Sequence, residues 1–382
     1  MTKKRIATWL VVLGVLAVSS LGVARAQSGG TTPVTAARAA NAPALVPVRL
    51  NADGNFRIAP PYVADPAFTA KPDVPKGRVI RFTMNSAESK LFPTAPVGRG
   101  GGPGGGRGAP AAAAPAAPAE PPQHQTFQRQ IAVYVPAGYV AATPSPFIVV
   151  QDERSFIPED APPAADGKPR TDLPFIPVML DNLIHEKRIP PIVAVLLSPG
   201  PGGQRTIEYD TVSDRYVNFV ETEVLPRITR EYQVAFTSDA EGRATLGESS
   251  GAAAALTMAW LHPELYRRVL SYSGTFVDQA RGSNPKYPFG AWEYHSTLIP
   301  NSERKPLRIW FHVSELDNGA TRDESTHGNW VLANQRLSKV LKEKGYPHKF
   351  VFAEGGRHTD AGVILQTLPD ALTWLWSGYQ AK

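Results

Sequence analysis

The chain has 382 residues, no cysteine and a formal net charge of +6. Its length allows one large α/β domain or two smaller ones, each with a substantial apolar core. The absence of cysteine excludes disulfides, thiolate chemistry and cysteine-ligated metals, so stability has to come from the core.

The first 26 residues have the three parts of a secretory signal peptide. Lys3, Lys4 and Arg5 form a basic start, residues 6–23 form an apolar run, and Ala24-Arg25-Ala26 form a cleavage site. We expect the mature chain to begin at Gln27 and to be periplasmic or secreted. A retained membrane anchor is the alternative, because the apolar run approaches the roughly 18 residues that span a bilayer. Cleavage would remove four cations and lower the net charge to +2, which is too little for a charge-driven nucleic-acid binder.

Beyond the signal peptide we expect one domain. Residues 27–47 are rich in Ala, Thr, Pro and Gly without an apolar period, and predict a flexible leader. Residues 48–382 form the single domain. Within it, residues 98–123 are dominated by Gly, Pro and Ala and are expected to be a disordered insertion that cannot pack a core.

The order of elements is typical of a doubly wound sheet. Residues 78–84 and 126–135 alternate apolar and polar residues and predict an antiparallel pair, whereas residues 147–150 and 192–197 are apolar runs typical of parallel strands buried on both faces. Helical spacing covers residues 173–186 and 213–232. The segment from Arg243 to Ala255 is predicted to be a short strand, a sharp turn and a helix. Further strands are predicted at 267–271, 307–313 and 349–353, and further helices at 329–345 and 368–379. Helices should therefore cover both faces of a mostly parallel sheet.

The segment Gly247-Glu248-Ser249-Ser250-Gly251 fits the nucleophile elbow G-x-S-x-G, with a predicted strand before it and a helix after it. Ser249 is the candidate nucleophile. Glycine at the two flanking positions lets strand and helix approach closely. The alternative is a glycine-flanked serine in an ordinary strand-to-helix turn.

Two later strand-end loops offer partners for Ser249. Glu315 and Asp317 follow the strand at 307–313, and His358 follows the strand at 349–353. The chain order of serine, acid and histidine is that of an α/β-hydrolase triad. Only one of the two carboxylates can face His358. Asp317 is favoured because it lies further from the strand, where the loop can turn inward, and Glu315 is the alternative acid.

An acyl transfer also requires donors for the oxyanion. One candidate is the backbone N–H of Ser250, and the other comes from the loop after the strand at 147–150, from Gln151, Asp152 or Glu153. No H-E-x-x-H or P-loop motif occurs in the sequence, so no metal and no cofactor is predicted.

Several segments together resemble the Putative esterase family, which includes enterochelin esterase, esterase D and feruloyl esterases. They are Tyr134-Val135-Pro136, Gln151-Asp152, and residues 205–209, 247–251, 266–274 and 355–358. The resemblance covers most of residues 75–380 and implies an α/β-hydrolase fold and carboxylic-ester hydrolysis through an acyl-enzyme.

Secreted bacterial members have an acid loop G-E-N-D-x-G followed by N-W-V-L-A-N-Q, which residues 314–319 and 329–335 mirror. On that match Asp317 takes the place of the acid. The chain departs from the pattern at Ser314 and Leu316, where Gly and Asn are usual, and at Arg357 before the histidine.

The sequence therefore predicts a secreted serine esterase acting on sugar-linked or aromatic esters. A siderophore trilactone esterase is the alternative within enzymes, and a non-catalytic binding protein on a hydrolase shell is the alternative of another class. Candidate substrate contacts are Trp292, Arg154 and Arg205. The alternative interpretations are that Trp292 packs at the edge of the core and that both arginines are solvated. The expected partner is a small-molecule or polysaccharide ester, with no nucleic acid and no membrane after signal cleavage.

Overall fold

The computed structural model describes residues 52–97, 123–157 and 175–380, all of which belong to one compact unit, Leu45–Lys382. The predicted signal peptide, the leader and residues 98–122 of the predicted insertion lie outside the described residues. Along the described segments, no helix is both long and apolar enough to cross a membrane.

The centre of the structure is a nine-stranded sheet in which one strand opposes the others. The strands are β1 (Gly54–Ile58), β2 (Arg78–Asn85), β3 (Ala95–Val97), β4 (Gln123–Gln125), β5 (Gln128–Val135), β6 (Phe147–Gln151), β7 (Val193–Leu197), β8 (Arg243–Glu248), β9 (Arg268–Tyr272), β10 (Arg308–Leu316) and β11 (His348–Arg357). The sheet order is β1-β11-β10-β9-β8-β6-β7-β5-β2, and β3 and β4 form a separate antiparallel pair. Among the strands described, only β5 is antiparallel to both neighbours. The predicted antiparallel pair and the mostly parallel sheet are confirmed.

Helices cover both faces of this sheet, as predicted. They are α1 (Ile176–His185), α2 (Arg215–Phe219), α3 (Leu225–Tyr232), α4 (Ser250–Leu261), α5 (Ile299–Asn301), α6 (Trp330–Glu343) and α7 (Ala361–Trp376). One apolar core contains residues of α2, α3, α4 and α6, and the other contains residues of α1 and α7. Consecutive residues of β6 alternate between the two, with Val149 in the first and Val150 in the second, as the period of a strand requires.

The predicted helix at 368–379 is wrong at its start, because α7 begins at Ala361. Asp360 caps it by accepting hydrogen bonds from the backbone N–H groups of Gly362 and Val363. Pro369 lies inside the helix and has no N–H to donate to the carbonyl of Leu365. That carbonyl instead accepts the backbone N–H of Asp65 at 2.9 Å, so the N-terminal segment compensates for the proline.

Two other boundaries also differ from the prediction. The helix expected at 213–232 contains a π-helical turn, Val220–Val224, which ends two residues before Pro226. Pro226 has no N–H for a regular helical bond. Strand β11 does not end at Ala353 but continues to Arg357, where it pairs with Leu316 after a register shift in β10. His358 therefore follows a strand that ends four residues later than predicted.

Candidate active site

Ser249 occupies the turn between β8 and α4, as the elbow motif predicts. Its backbone has φ 54° and ψ −122°, a conformation that a residue with a Cβ adopts only when the surroundings enforce it. Two backbone bonds do so. The N–H of Ser249 donates to the carbonyl of Tyr272 at 2.9 Å, and the N–H of Thr275 donates to the carbonyl of Ser249 at 3.1 Å.

The two glycines of the motif are required by space. A Cβ on Gly247 would lie 2.2 Å from the backbone of Gly251, and a Cβ on Gly251 would lie 2.7 Å from the Asp152 carboxylate. Since real Cβ atoms do not approach other heavy atoms so closely, strand β8, helix α4 and the loop after β6 pack together only with glycine at both positions.

His358 lies between Ser249 and Asp317. Its Nε2 is 2.9 Å from Ser249 Oγ, and its Nδ1 is 2.5 Å from Asp317 Oδ1. A carboxylate only accepts hydrogen bonds, so this arrangement assigns the proton of the neutral ring to Nδ1. Nε2 is then free to accept the hydroxyl proton of Ser249.

The side chain of Asp317 is fully buried and surrounded by donors. The backbone N–H of Asn318 donates to Oδ1 at 2.7 Å, and that of Ser314 reaches Oδ2 at 3.4 Å. Burial alone would raise the pKa of Asp317, but the hydrogen bond and charge of His358, with hydrogen bonds from Ser273 and Asn318, lower the pKa overall. Asp317 is therefore an ionised partner for the imidazole.

Glu315, the alternative acid, is engaged elsewhere. Its Oε2 accepts the backbone N–H of Gly355 at 2.7 Å, and the residue is exposed. The bond ties the end of β10 to the strand that leads to His358. Of the two carboxylates, the structure thus brings Asp317 to the histidine.

Thr275 and Trp330 also border the nucleophile, and sequence reasoning assigned neither a role. Thr275 Oγ1 lies 3.4 Å from Ser249 Oγ and accepts a 3.3 Å hydrogen bond from the indole N–H of Trp330. The Trp330 ring meets the His358 ring edge to face at 6.1 Å between centroids. Trp330 lies within the N-W-V-L-A-N-Q segment that resembles the esterase family, and this resemblance was the one sequence signal for a position near the site.

The residues predicted to supply the oxyanion donors lie near Gly251: Ser250 directly precedes it, and a Cβ on Gly251 would lie 2.7 Å from Asp152 Oδ2. Ser250 is the first residue of α4, and the N–H of such a residue has no acceptor within its own helix. Asp152 has left-handed backbone angles, φ 62° and ψ 59°, and Glu153 begins a short 3₁₀ turn after it. The Glu153 side chain is buried and accepts a 3.0 Å hydrogen bond from Ser198.

The three candidate substrate contacts differ in their surroundings. Arg205 is not a solvated arginine, because both oxygens of Asp152 pair with its guanidinium at 2.9 and 2.6 Å. Arg154 is exposed on the 3₁₀ turn after Asp152. Trp292 is only 5% exposed and stacks on His327 with centroids 4.7 Å apart, so the packing interpretation describes it better than an open aromatic wall.

Two further acids are buried beside this site. Burial, with the nearby charge of Asp152, raises the pKa of Glu248 to about 8 despite the opposing effect of Arg205. Burial likewise raises the pKa of Asp210 to about 6, against the charge of Arg205 and hydrogen bonds from neighbours that include Ser250 and Gln279. No cluster of three or more potential metal ligands occurs among the residues whose structure is described.

The sheet with its single opposing strand, the helices on both faces and the serine on a strand-to-helix turn define an α/β-hydrolase. The family model described as "Putative esterase" matches residues 126–374, and the chain belongs to that family. None of the curated proteins matches the sequence.

Solved esterases share this fold at low identity. An enterobactin esterase from Shigella flexneri is 18% identical with a TM-score of 0.51, over 81% of this chain and 62% of its own length. A ferulic acid esterase is 13% identical with a TM-score of 0.50, over 78% of this chain and 99% of its own length. The chain thus spans less than two thirds of the enterobactin esterase.

Proposed function

We propose that this protein is a serine esterase that works through an acyl-enzyme, with Ser249 as nucleophile, His358 as general base and acid, and Asp317 as the group that orients the imidazole. The observation that carries the proposal is the position of the His358 ring, 2.9 Å from Ser249 Oγ on one side and 2.5 Å from Asp317 on the other. It is also the observation that argues against a non-catalytic binding protein, since binding alone does not require this alignment.

In the acylation step, Ser249 Oγ attacks the ester carbonyl carbon while its proton passes to His358 Nε2. Asp317 stabilises the imidazolium and keeps the ring oriented. The tetrahedral intermediate then collapses, the bond from the carbonyl carbon to the alcohol oxygen breaks, and His358 returns the proton to the leaving alkoxide. The alcohol departs and the acyl group stays on Ser249.

Deacylation repeats these steps with water. His358 takes a proton from the water, the hydroxide attacks the acyl carbon, and Ser249 leaves with the proton as the carboxylic acid is released. In both halves negative charge develops on the carbonyl oxygen. The N–H of Ser250 and a second N–H from Asp152 or Glu153 are the proposed donors, and removal of one such donor typically costs about 3 kcal/mol of transition-state stabilisation.

For the substrate, we propose sugar-linked or aromatic esters, such as acetylated or feruloylated polysaccharide. The motif resemblance to feruloyl esterases supports this class, and one structural neighbour is described as a ferulic acid esterase. The alternative is a siderophore trilactone. It is favoured by the likeness to an enterobactin esterase solved in the presence of enterobactin, which is 19% identical with a TM-score of 0.50.

We also propose a periplasmic or secreted location. The basic residues Lys3, Lys4 and Arg5, the apolar run and the Ala24-Arg25-Ala26 site support it. N-terminal sequencing of the protein exported by a bacterial host should begin at Gln27. A protein found only in the membrane fraction with Met1 retained would support the anchor instead.

A fluorophosphonate probe tests the enzyme proposal most directly, because it reacts covalently with activated serines. We expect rapid labelling of the wild-type protein at Ser249, identified by peptide mass spectrometry, and none of Ser249→Ala. Ser250→Ala, which keeps the backbone N–H and the neighbouring nucleophile, serves as the matched control and should still be labelled. An unlabelled wild-type protein would contradict the proposal.

An ester panel then addresses the substrate. Methyl ferulate, acetylated xylan, p-nitrophenyl acetate and a catecholate trilactone are compared by kcat/KM, with Ser249→Ala as the blank for each. We expect hydrolysis of the ferulate or acetyl-xylan ester. Activity on the trilactone alone would establish the alternative.

A further inference from the structure

Arg205 connects the two segments that are proposed to supply the oxyanion donors. Its Nε and Nη2 contact the two carboxylate oxygens of Asp152 at 2.9 and 2.6 Å, the parallel geometry of a strong arginine–carboxylate pair. The same Nη2 lies 3.3 Å from the backbone carbonyl of Glu248, one residue before the nucleophile. One guanidinium thus bonds to the loop after β6 and to the end of β8.

The position of Arg205 is fixed by the π-helical turn that follows it. It directly precedes the π-helical turn Thr206–Asp210. Glu208 of that turn forms a buried, two-bond pair with Arg129 of β5, at 2.8 and 2.6 Å. The turn is therefore anchored to the sheet, and the guanidinium projects from a rigid base.

Asp152, the partner of Arg205, packs directly against helix α4. A Cβ on Gly251 would lie 2.7 Å from Asp152 Oδ2, so the carboxylate fills the space that a larger residue would need. The left-handed backbone of Asp152 is costly for a residue with a side chain, and it determines the direction of the N–H of Glu153. The ion pair with Arg205 provides a restraint that holds this conformation.

The side chain of Ser250 is linked to the buried Asp210 through Gln279. The side-chain amide nitrogen of Gln279 donates to Asp210 Oδ2 at 2.9 Å and to Ser250 Oγ at 3.4 Å. Arg205 reaches the start of α4 through its 3.3 Å contact with the carbonyl of Glu248, which leads into Ser249 and Ser250. Arg205 thus acts on the loop before Glu153 through Asp152 and on the turn into α4 through the carbonyl of Glu248.

We infer that Arg205 is a positioning residue for ester hydrolysis, which holds the backbone donors of Ser250 and of the Asp152–Glu153 loop at the separation that the oxyanion requires. This inference rests on the proposed function. A preorganised pair of donors is effective only at the correct geometry, and displacement by about 1 Å can cost on the order of 100-fold in rate. A substrate-binding role for Arg205 would instead leave the donors in place.

The test uses Arg205→Gln, Asp152→Asn and the double variant in the full chain, with the ester that the wild-type protein hydrolyses best. We expect each single variant to lose about 10- to 100-fold in kcat with KM within about threefold, because the donors act in the transition state more than in substrate binding. The double variant should lose no more than the worse single variant, since the two side chains act as one pair. It leaves neither charge of the pair unpartnered, so it can be measured even where a single variant folds poorly.

A reversible trifluoromethyl ketone gives a readout that a loss of stability alone would not change. It forms a hemiketal on Ser249 whose oxyanion occupies the hole, so its affinity should fall by about the same factor as kcat/KM. The matched control is Arg188→Gln, which removes a partly buried arginine pair with Asp370 at 2.8 Å, between α7 and the end of α1. It should keep wild-type kcat and ketone affinity.

Three results would overturn the inference while leaving the esterase proposal intact. They are a wild-type kcat in Arg205→Gln, a rise in KM at unchanged kcat, and additive losses in the double variant. A wild-type protein that neither hydrolyses esters nor reacts with the fluorophosphonate probe would contradict the proposed function itself.

Discussion

Replacement of Asp317 by Asn is expected to lower kcat by about 10³- to 10⁴-fold while leaving the fold intact, since loss of a triad carboxylate has an effect of this size. Asn has nearly the shape of Asp, so packing is retained. The measurement is kcat at pH 7, with folded protein verified by circular dichroism and by the midpoint of urea unfolding.

The surroundings of Asp317 explain why an amide cannot replace the carboxylate. Donors from His358, Asn318 and Ser314 converge on its two oxygens. An amide offers one oxygen and one NH₂ group, so in either orientation the NH₂ group faces a donor. If it faces His358, the ring proton moves to Nε2 and the base is lost; if it faces away, the imidazolium has no negative charge beside it.

Glu315→Gln is the matched control, two residues away on the same loop. Its amide oxygen can still accept the N–H of Gly355, which the carboxylate holds at 2.7 Å. We expect kcat within about threefold of wild type, as for other changes outside the reacting groups. The assignment of the acid would be reversed if Glu315→Gln lost more activity than Asp317→Asn.

Much of the fold was predictable because buried strands have a clear sequence signal. The runs at 147–150 and 192–197 consist of apolar residues, and both became fully buried central strands. Strand β1 was missed for the opposite reason. In Gly54–Ile58, at the edge of the sheet, exposed and partly buried residues alternate over only five positions, and its parallel partner β11 lies almost 300 residues away.

The start of α7 shows a second limit. A proline in a helix interior removes a hydrogen bond, so the local sequence does not favour a helix that runs through Pro369. The structure instead supplies a partner for the freed carbonyl from Asp65, about 300 residues earlier. No local pattern contains that information, because it depends on a tertiary contact.

The residues of the candidate site also fall into those that the sequence predicts and those that depend on tertiary contacts. Ser249, Asp317 and His358 were found because each directly follows a strand and their order along the chain is informative. The pairing of Arg205 with Asp152 was not predicted, since an arginine carries no sequence signal that separates solvent exposure from ion pairing. Thr275 was missed because its position beside Ser249 arises from the adjacency of β8 and β9 in the sheet.

Glu248→Gln is expected to stabilise the protein at high pH and not at low pH. Burial raises the pKa of Glu248 from its ordinary value of 4.5 to about 8. Between these values the unfolded chain has released the proton and the folded chain retains it, so the free energy of unfolding falls as pH rises through that window. Gln does not titrate and removes this loss. Since one pKa unit corresponds to about 1.4 kcal/mol, we expect the variant to gain about 2 kcal/mol or more over wild type between pH 5 and pH 9.

Urea unfolding of both proteins at pH 5, 7 and 9 measures the gain, read as the change in midpoint at constant slope. Glu303→Gln, at an exposed position, is the control and should show a difference from wild type that does not vary with pH. An equal difference between Glu248→Gln and wild type at pH 5 and pH 9 would contradict the prediction. Glu248, directly before the nucleophile, would then be ionised in the folded protein. Arg205 contacts the backbone carbonyl of Glu248, and its charge lowers the pKa of the Glu248 side chain. Arg205 would in that case neutralise two carboxylates at the centre of the site, those of Glu248 and Asp152.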